Sequence, residues 1–215
     1  MSERKNSAGM IVIDGMDGSG KGVQTRRLCD ALLQAGYKAI LTREPGGSPG
    51  AEEIRRLLVE GEPNKWDAMT ELLLMYAARR SHLTGTVWPA IAEGGWVVSD
   101  RFADSSRAFQ GIAGELGLDV VEQIHRIAVG EFKPELTIIL DVPVKIALER
   151  ARARGGVEDR FERKRPAYHE RVREAFIKIS QSDSKRYALI DGSMTMDQVT
   201  AEILKIIESR LHLGI

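Results

Sequence analysis

The segment Met10-Ile-Val-Ile-Asp-Gly-Met-Asp-Gly-Ser-Gly-Lys-Gly22 decides the fold of this chain. It starts as a short apolar run, which predicts a buried parallel strand. It ends in a glycine-rich turn, in which successive backbone N–H groups can surround a phosphate chain at a helix N-terminus because no Cβ blocks the approach. The residues expected to contact the phosphates are Gly15, Met16, Asp17, Gly18, Ser19, Gly20, Lys21 and Gly22.

The sequence after this turn alternates between helix and strand patterns. Apolar residues at helical spacing predict helices after Lys21, over 51–60 and 67–93, and at the C-terminus through Val199, Ile203 and Ile207. Four further apolar runs have the length of strands, at residues 38–42, 96–100, 136–142 and 187–191. Strands separated by helices predict an α/β fold with a parallel sheet covered on both faces.

Length and composition restrict the class of protein. The 215 residues, of which 43% are hydrophobic, fit one domain over residues 1–215. Lys plus Arg and Asp plus Glu both number 31, and this balance disfavours a nucleic-acid or membrane-surface binder. Cys29 has no partner for a disulfide, and residues 1–9 lack the apolar core of a signal peptide. We expect a cytoplasmic enzyme that binds small molecules.

Residues 150–165 form a strongly basic segment, with seven basic and three acidic side chains and an interruption at Gly155-Gly156. Two interpretations fit this composition. A charged run is usually the solvated face of a helix with a turn. The alternative is a hinged basic lid that closes on an anionic ligand, because arginines pair well with phosphates.

Gly22 departs from the usual form of the phosphate turn. A Ser or Thr hydroxyl normally follows the lysine and contacts Mg²⁺. Here Gly22 and Val23 carry no hydroxyl, and the nearest one belongs to Thr25. Either Mg²⁺ keeps an additional water, which it does readily, or its binding is weakened.

Asp100-Arg101 ends the predicted strand 96–100. Ligands of a parallel sheet lie beyond the carboxyl ends of its strands. A carboxylate there can hold the waters of Mg²⁺, and an arginine can clamp a phosphate with two parallel hydrogen bonds. Without the phosphate turn nearby, the same pair would be read as an ion pair or a helix cap.

Five segments of this sequence occur together in one order. They are residues 15–21, Thr42-Arg-Glu-Pro-Gly-Gly-Ser48, Glu71-Leu-Leu-Leu-Met-Tyr-Ala-Ala-Arg79, Ser99-Asp-Arg-Phe-Ala-Asp-Ser-Ser-Arg-Ala-Phe-Gln110 and Arg150-Ala-Arg-Ala-Arg-Gly155. Together they resemble bacterial thymidylate kinases over residues 8–210, and the run from Asp100 to Gln110 is highly specific to that family.

The resemblance implies a P-loop NTPase-type fold of three layers, α/β/α, with a five-stranded parallel sheet and a small mobile basic lid. It also implies a homodimer that uses ATP and Mg²⁺ to phosphorylate dTMP to dTDP. Alternatives are a kinase for another pyrimidine nucleoside monophosphate such as dUMP, and a non-catalytic nucleotide-binding relative. A deoxynucleoside kinase or a nucleotide-dependent switch protein would share the phosphate turn.

The resemblance assigns roles to residues by matching position. Lys21 would hold the distal phosphates of ATP, and Asp17 would lie near the sugar 3′-hydroxyl and the acceptor phosphate. Arg101 would clamp the dTMP phosphate, with Asp100 on its metal side. The other residues that match the acceptor site are Arg79 at the thymine edge, Ser105, Phe109 and Gln110 along the nucleoside pocket, and Arg43 and Arg55 as anion contacts.

A catalytic arginine is expected in the basic segment. Some family members carry this arginine in the phosphate turn, where this chain has Gly18, and others supply it from the lid. Arg160 is the first candidate here and Arg154 the second. Such an arginine offsets the charge that develops on the transferring phosphoryl group.

Met75 stands where the family usually has a phenylalanine that stacks on thymine. Methionine is a more flexible and poorer stacking platform, so the sequence specifies the base less firmly than the phosphoryl chemistry. The neighbouring residues Leu72, Leu73 and Leu74 are expected to lie in the core.

Overall fold

The predicted strands form one parallel sheet in a computed structural model that describes residues 8–155 and 160–215. The strands are β1 (Gly9–Gly15), β2 (Ala39–Arg43), β3 (Trp96–Asp100), β4 (Leu136–Asp141) and β5 (Tyr187–Asp191). Their order is β2-β3-β1-β4-β5. The predicted α/β class is confirmed, and each strand boundary agrees with the prediction to within one residue because buried parallel strands are continuous apolar runs.

Nine α-helices lie in the described part of the chain. They are α1 (Lys21–Gln34), α2 (Pro49–Val59), α3 (Ala68–His82), α4 (Trp88–Ala92), α5 (Ala103–Ser106), α6 (Leu118–Ala128), α7 (Val144–Arg154), α8 (Pro166–Ser182) and α9 (Met196–Leu211). None of the helices within residues 8–155 and 160–215 is both long and apolar enough to cross a membrane.

The helices cover both faces of the sheet, as predicted. Successive side chains of a strand point to opposite faces. Ile11 and Ile13 of β1 pack with α1 and α9, whereas Met10 and Val12 pack with α3 and α6. Helix α8 covers the second face beside β4. This arrangement is the three-layer architecture that the resemblance implied.

Helix α3 contradicts one expectation about the core. Leu72 is fully buried and Leu74 is half-buried, but the side chain of Leu73 is 52% exposed. Consecutive helical residues point in directions about 100° apart, so three adjacent leucines cannot all face the sheet. The prediction that Leu73 belongs to the core was wrong.

The sheet places the functional segments side by side at the carboxyl ends of its strands. Strands β2 and β3 lie on one side of β1, and β4 and β5 lie on the other, so the direction in which the chain adds strands changes beside β1. Ligands bind at such a point in open α/β sheets. Asp100 of β3 pairs in register with Ile13 of β1. The turn that follows β1 therefore faces the Asp100-Arg101 dipeptide.

A π-helical segment, Arg107–Ile112, follows α5. Wider turns of this kind commonly occur at functional sites. The segment buries both Phe109 and Gln110. Phe109 packs edge-to-face against Phe161, Tyr168 and Phe176, which fixes this wall of the site.

Candidate active site

One large cavity, of about 1270 Å³, opens at the carboxyl ends of β1 and β3. It is lined by the phosphate turn, the start of α1, the loop after β2, the inner face of α3 and the segment 100–110. A pocket for one small ligand usually has a volume of about 300–1,000 Å³. This cavity therefore has room for two nucleotide-sized ligands.

The phosphate turn depends on glycine conformations. Gly18 and Gly20 have φ values of 80° and 94°, in the left-handed region. A Cβ on Gly18 would lie 1.9 Å from the carbonyl oxygen of Ala147 in α7, so any side chain here, including an arginine, would require the backbone of α7 to shift. Gly20 is the N-cap of α1 and offers no side-chain cap, which leaves the first N–H groups of the helix for a ligand.

Lys21 lies across this turn. Its Nζ donates to the carbonyl oxygen of Met16 at 2.6 Å, and the residue is only 5% exposed. Burial, helped by the nearby Arg101 guanidinium, lowers the pKa of Lys21 to about 8. Bound phosphates would raise this pKa again, because an opposite charge favours the ammonium form.

Arg101 is the centre of the site. It has φ of 74°, which costs a side-chain-bearing residue roughly 1–2 kcal/mol. Its guanidinium donates to Asp17 at 2.7 Å, to the carbonyl oxygen of Gly15 at 2.9 Å and to Ser105 at 2.9 Å. The structure thus brings together the predicted residues Asp17, Arg101 and Ser105, beside the turn.

Asp14 is a site residue that sequence reasoning missed. Its fully buried carboxylate accepts hydrogen bonds from Ser105 at 2.7 Å and from the Gly15 N–H at 2.9 Å, and it lies 3.4 Å from the Arg101 guanidinium. Burial raises the pKa of Asp14 to about 6, against the opposing effect of Arg101. The available signal was an ionisable residue at the end of an otherwise apolar strand.

Asp100 and Gly22 lie together at the edge of the turn. A Cβ on Gly22 would lie 3.3 Å from Asp100 Oδ2. Within the described residues, the Asp100 carboxylate accepts no hydrogen bond. The hydroxyl of Thr25 is buried and donates to the Lys21 carbonyl oxygen at 2.6 Å, so it does not replace the missing hydroxyl.

These residues fit Mg²⁺ bound mainly through phosphates and water. In residues 8–155 and 160–215, no group of three His, Cys, Asp or Glu residues could hold a metal alone. Mg²⁺ in phosphoryl-transfer sites commonly uses one or two carboxylates and keeps several waters. The carboxylate of Asp100 and the space beside Gly22 fit a site of this kind.

Arg79 is buried in a polar cluster at the wall of the cavity. Its guanidinium donates to Glu44 at 2.7 Å, to Ser106 and to the carbonyl oxygen of Phe102. The second oxygen of Glu44 contacts His82. Glu44, which sequence reasoning also missed, has its pKa held below the usual range by Arg79 and His82 despite its burial. This ion pair fixes Arg79 against the wall.

The other predicted acceptor residues also line the cavity. Met75 is half-buried there. Arg101 stacks over the ring of Phe109 at 5.1 Å. Arg43 pairs with Glu52 at 3.2 Å, and Arg55 donates to the Pro45 carbonyl oxygen at 2.6 Å. These two arginines therefore lie at the rim, on the side of α2.

The structure does not bring Arg160 to the phosphate turn. The residue is fully buried, and its guanidinium donates to the carbonyl oxygens of Leu58 and Glu62 and to the carboxylate of Glu71. It is not among the residues that line the cavity. The side chain of Arg154, the second candidate, lies outside the described residues, as do residues 156–159.

Known proteins are similar to this chain over nearly its full length. The family model described as thymidylate kinase matches residues 13–203. The thymidylate kinase of Ruegeria pomeroyi is 45% identical over 203 residues, which cover 94% of this chain and 95% of the relative. That of Caulobacter vibrioides is 46% identical over 203 residues, covering 94% of this chain and 97% of the relative.

A solved structure gives the same result. The crystal structure of thymidylate kinase from Ehrlichia chaffeensis superposes with a TM-score of 0.76 at 27% identity, over 94% of this chain and 99% of that chain. The sequence match and the shared fold both extend over nearly the full length. This chain belongs to the thymidylate kinase family.

Proposed function

We propose that this enzyme transfers the γ-phosphoryl group of ATP to dTMP and releases dTDP and ADP. Beyond family membership, the observation that carries the proposal is the position of Arg101. It links the phosphate turn to the nucleoside wall through Asp17 and Ser105. A cationic fork at this place fits the phosphate of an acceptor nucleotide whose base points toward Arg79 and Gln110.

On the donor side, Lys21 and the N–H groups of the turn would bind the phosphates of ATP. Mg²⁺, which we propose is held through water by Asp100, would neutralise charge on those phosphates when bound. Lys21 would exchange its contact with the Met16 carbonyl oxygen for a phosphate oxygen.

On the acceptor side, Arg101 would hold the dTMP phosphate in line with the donor, and Asp17 would lie near the sugar. Arg79 would donate to the thymine edge from its fixed position, while Met75 would lie against the ring. The remaining residues proposed for this pocket are Ser105, Phe109, Gln110, Arg43 and Arg55, all of which line the cavity. Holding both reactants in this geometry supplies much of the catalysis of phosphoryl transfer.

The segment 150–165 is proposed to act as a basic lid that supplies the catalytic arginine. Gly18 supports this assignment because a side chain at its place in the turn would clash with the Ala147 carbonyl oxygen of α7. Of the two candidates, Arg154 is favoured, because Arg160 is held by contacts away from the phosphate turn. Arg160 would have to break its ion pair with Glu71 and two bonds to carbonyl oxygens in order to reach the transferring group.

We also propose that the chain acts as one domain and forms a homodimer through α3 and α6. These helices pack together and carry apolar side chains on the outside, namely Leu73, which is 52% exposed, and Ile127, which is 86% exposed. Exposed aliphatic side chains on adjacent helices suit an interface between copies.

We also propose a cytoplasmic location, which cell fractionation would test.

The function is tested by following ADP release with Mg-ATP and a panel of acceptors: dTMP, dUMP, UMP, CMP, dCMP, AMP, GMP and thymidine. The proposal predicts strong turnover with dTMP and little with thymidine, which lacks the phosphate for Arg101. Greater turnover with another monophosphate would move the substrate and implicate Met75. ATP binding without turnover on any acceptor would overturn the proposal.

A further inference from the structure

Glu71 is a buried carboxylate that the proposed chemistry does not use. It lies on α3 and is 2% exposed. Its Oε1 accepts a hydrogen bond from Gln110 Nε2 at 2.8 Å, and its Oε2 accepts one from the Arg160 guanidinium at 2.7 Å. One carboxylate therefore connects Gln110 of the nucleoside wall with Arg160 of the basic segment 150–165.

The contact with Glu71 determines which way the Gln110 amide faces. An ionised carboxylate can only accept hydrogen bonds, so Gln110 must turn its NH₂ group toward Glu71. Within the described residues, the side-chain oxygen of Gln110 accepts no hydrogen bond, and Gln110 lines the cavity. The side-chain oxygen is consequently left as the acceptor for a ligand.

Arg160 holds Glu71 in this position. Its guanidinium is anchored on two carbonyl oxygens, that of Leu58 in the last turn of α2 at 3.0 Å and that of Glu62 just after the helix at 3.2 Å. A second cation, Lys164, lies 3.8 Å from the same carboxylate oxygen. Since both ends of the Arg160–Glu71 pair are buried, neither partner can turn away without leaving an unpaired charge.

We propose that Glu71 is a positioning residue that sets the hydrogen-bonding polarity of Gln110 and thereby the choice of pyrimidine. An acceptor oxygen facing the Watson–Crick edge suits thymine and uracil, whose ring N3 carries a hydrogen. Cytosine presents an unprotonated N3 there, and two acceptors would face each other with no proton between them. A site built to pair one polar group rejects an analogue that cannot pair it. This inference rests on the proposed function and deepens it.

The test compares kcat/KM for dTMP with kcat/KM for dCMP in wild type and Glu71→Gln. A neutral amide at position 71 can donate as well as accept, so Gln110 can turn its NH₂ group to the cavity. We expect the dTMP-to-dCMP ratio to fall at least tenfold, chiefly through a higher KM for dTMP. A role in folding alone would lower both activities and leave the ratio unchanged.

Two further variants isolate the path through Gln110. Glu122→Gln breaks a more exposed ion pair with Arg107, which lies outside the cavity, and should keep the wild-type ratio. In a Gln110→Met background, Glu71→Gln should change the ratio no further, because its effect acts through the amide. If Glu71→Gln does not fold, Glu71→Asp, which retracts the carboxylate by one methylene, serves in its place.

The outcomes separate the two proposals. A wild-type enzyme that fails to phosphorylate dTMP overturns both the function and this inference before any variant is made. A wild-type enzyme that strongly prefers dTMP, together with an unchanged ratio in the Glu71 variants, overturns the inference alone. The inference is also overturned if Glu71→Gln changes the dTMP-to-dCMP ratio equally in the wild-type and the Gln110→Met backgrounds.

Discussion

Asp14 is a fully buried carboxyl group at the end of β1, next to the Arg101 guanidinium. Its pKa is about 6 in the folded chain, compared with 3.8 for an ordinary aspartate. Between these values the folded state retains a proton that the unfolded state has lost. The contribution of this group to stability is therefore greatest at low pH and is lost as the pH rises through 6.

We predict that Asp14→Asn is more stable than wild type at neutral pH but less active. The difference in free energy of unfolding should grow by about 2 kcal/mol from pH 4 to pH 7, since one pKa unit corresponds to about 1.4 kcal/mol. Denaturant titrations across this range measure it. Turnover should fall roughly tenfold or more, about 1.4 kcal/mol of barrier, because Arg101 loses its buried counter-charge. A pH-independent difference would contradict the prediction.

Gly22 is a second residue whose effect can be isolated. Its Cβ position lies 3.3 Å from Asp100 Oδ2, so a serine hydroxyl would reach the proposed metal site. We predict that Gly22→Ser lowers the Mg²⁺ concentration needed for half-maximal activity several-fold, by replacing a water with a fixed ligand. Gly22→Ala, which adds the same Cβ without the hydroxyl, is the control. Equal effects of serine and alanine would show that Gly22 has no bearing on the metal.

At the scale of elements, the backbone of the phosphate turn packs at Gly18 directly against the backbone of α7. A Cβ on Gly18 would lie 1.9 Å from the Ala147 carbonyl oxygen, whereas one on Gly20 meets nothing within 4 Å. Both glycines have positive φ, so each alanine variant should lose roughly 1–2 kcal/mol from backbone strain. We predict a clearly larger fall in melting temperature for Gly18→Ala than for Gly20→Ala. Similar falls would mean that α7 moves aside freely.

The elements also show what the sequence predicts well and what it does not. Buried strands such as 96–100 are recognisable because they are apolar throughout, and the phosphate turn because its glycines are close in sequence. Asp14 and Arg101 are 87 positions apart, and Glu71 and Arg160 are 89 apart. Local patterns carry no information about such pairs. The expectation for Arg160 came from the family resemblance and its place in the basic segment, and neither gives information about a distant buried carboxylate.

At the scale of the whole molecule, α3 connects the acceptor pocket with the outer surface. Its inner face carries Glu71 and Arg79, which are 2% exposed, and its outer face carries Leu73, which is 52% exposed. A partner subunit seated on Leu73 and Ile127 would hold α3 from outside, while Glu44 and Arg160 hold it from inside. Dimer formation and acceptor binding should therefore depend on each other.

We predict that Leu73→Glu and Ile127→Glu convert a dimer into monomers, because each would bury an unpaired carboxylate in an apolar interface. Sedimentation equilibrium measures the conversion. Leu189→Glu, at a 45% exposed leucine on the edge strand β5, should remain dimeric. The monomeric variants should show a higher KM for dTMP and a nearly unchanged KM for ATP, since α3 lines only the acceptor side. A wild-type chain that is monomeric at tens of micromolar would rule out the α3–α6 interface. An equal rise in the KM for dTMP and the KM for ATP would show that the interface has no specific effect on the acceptor pocket.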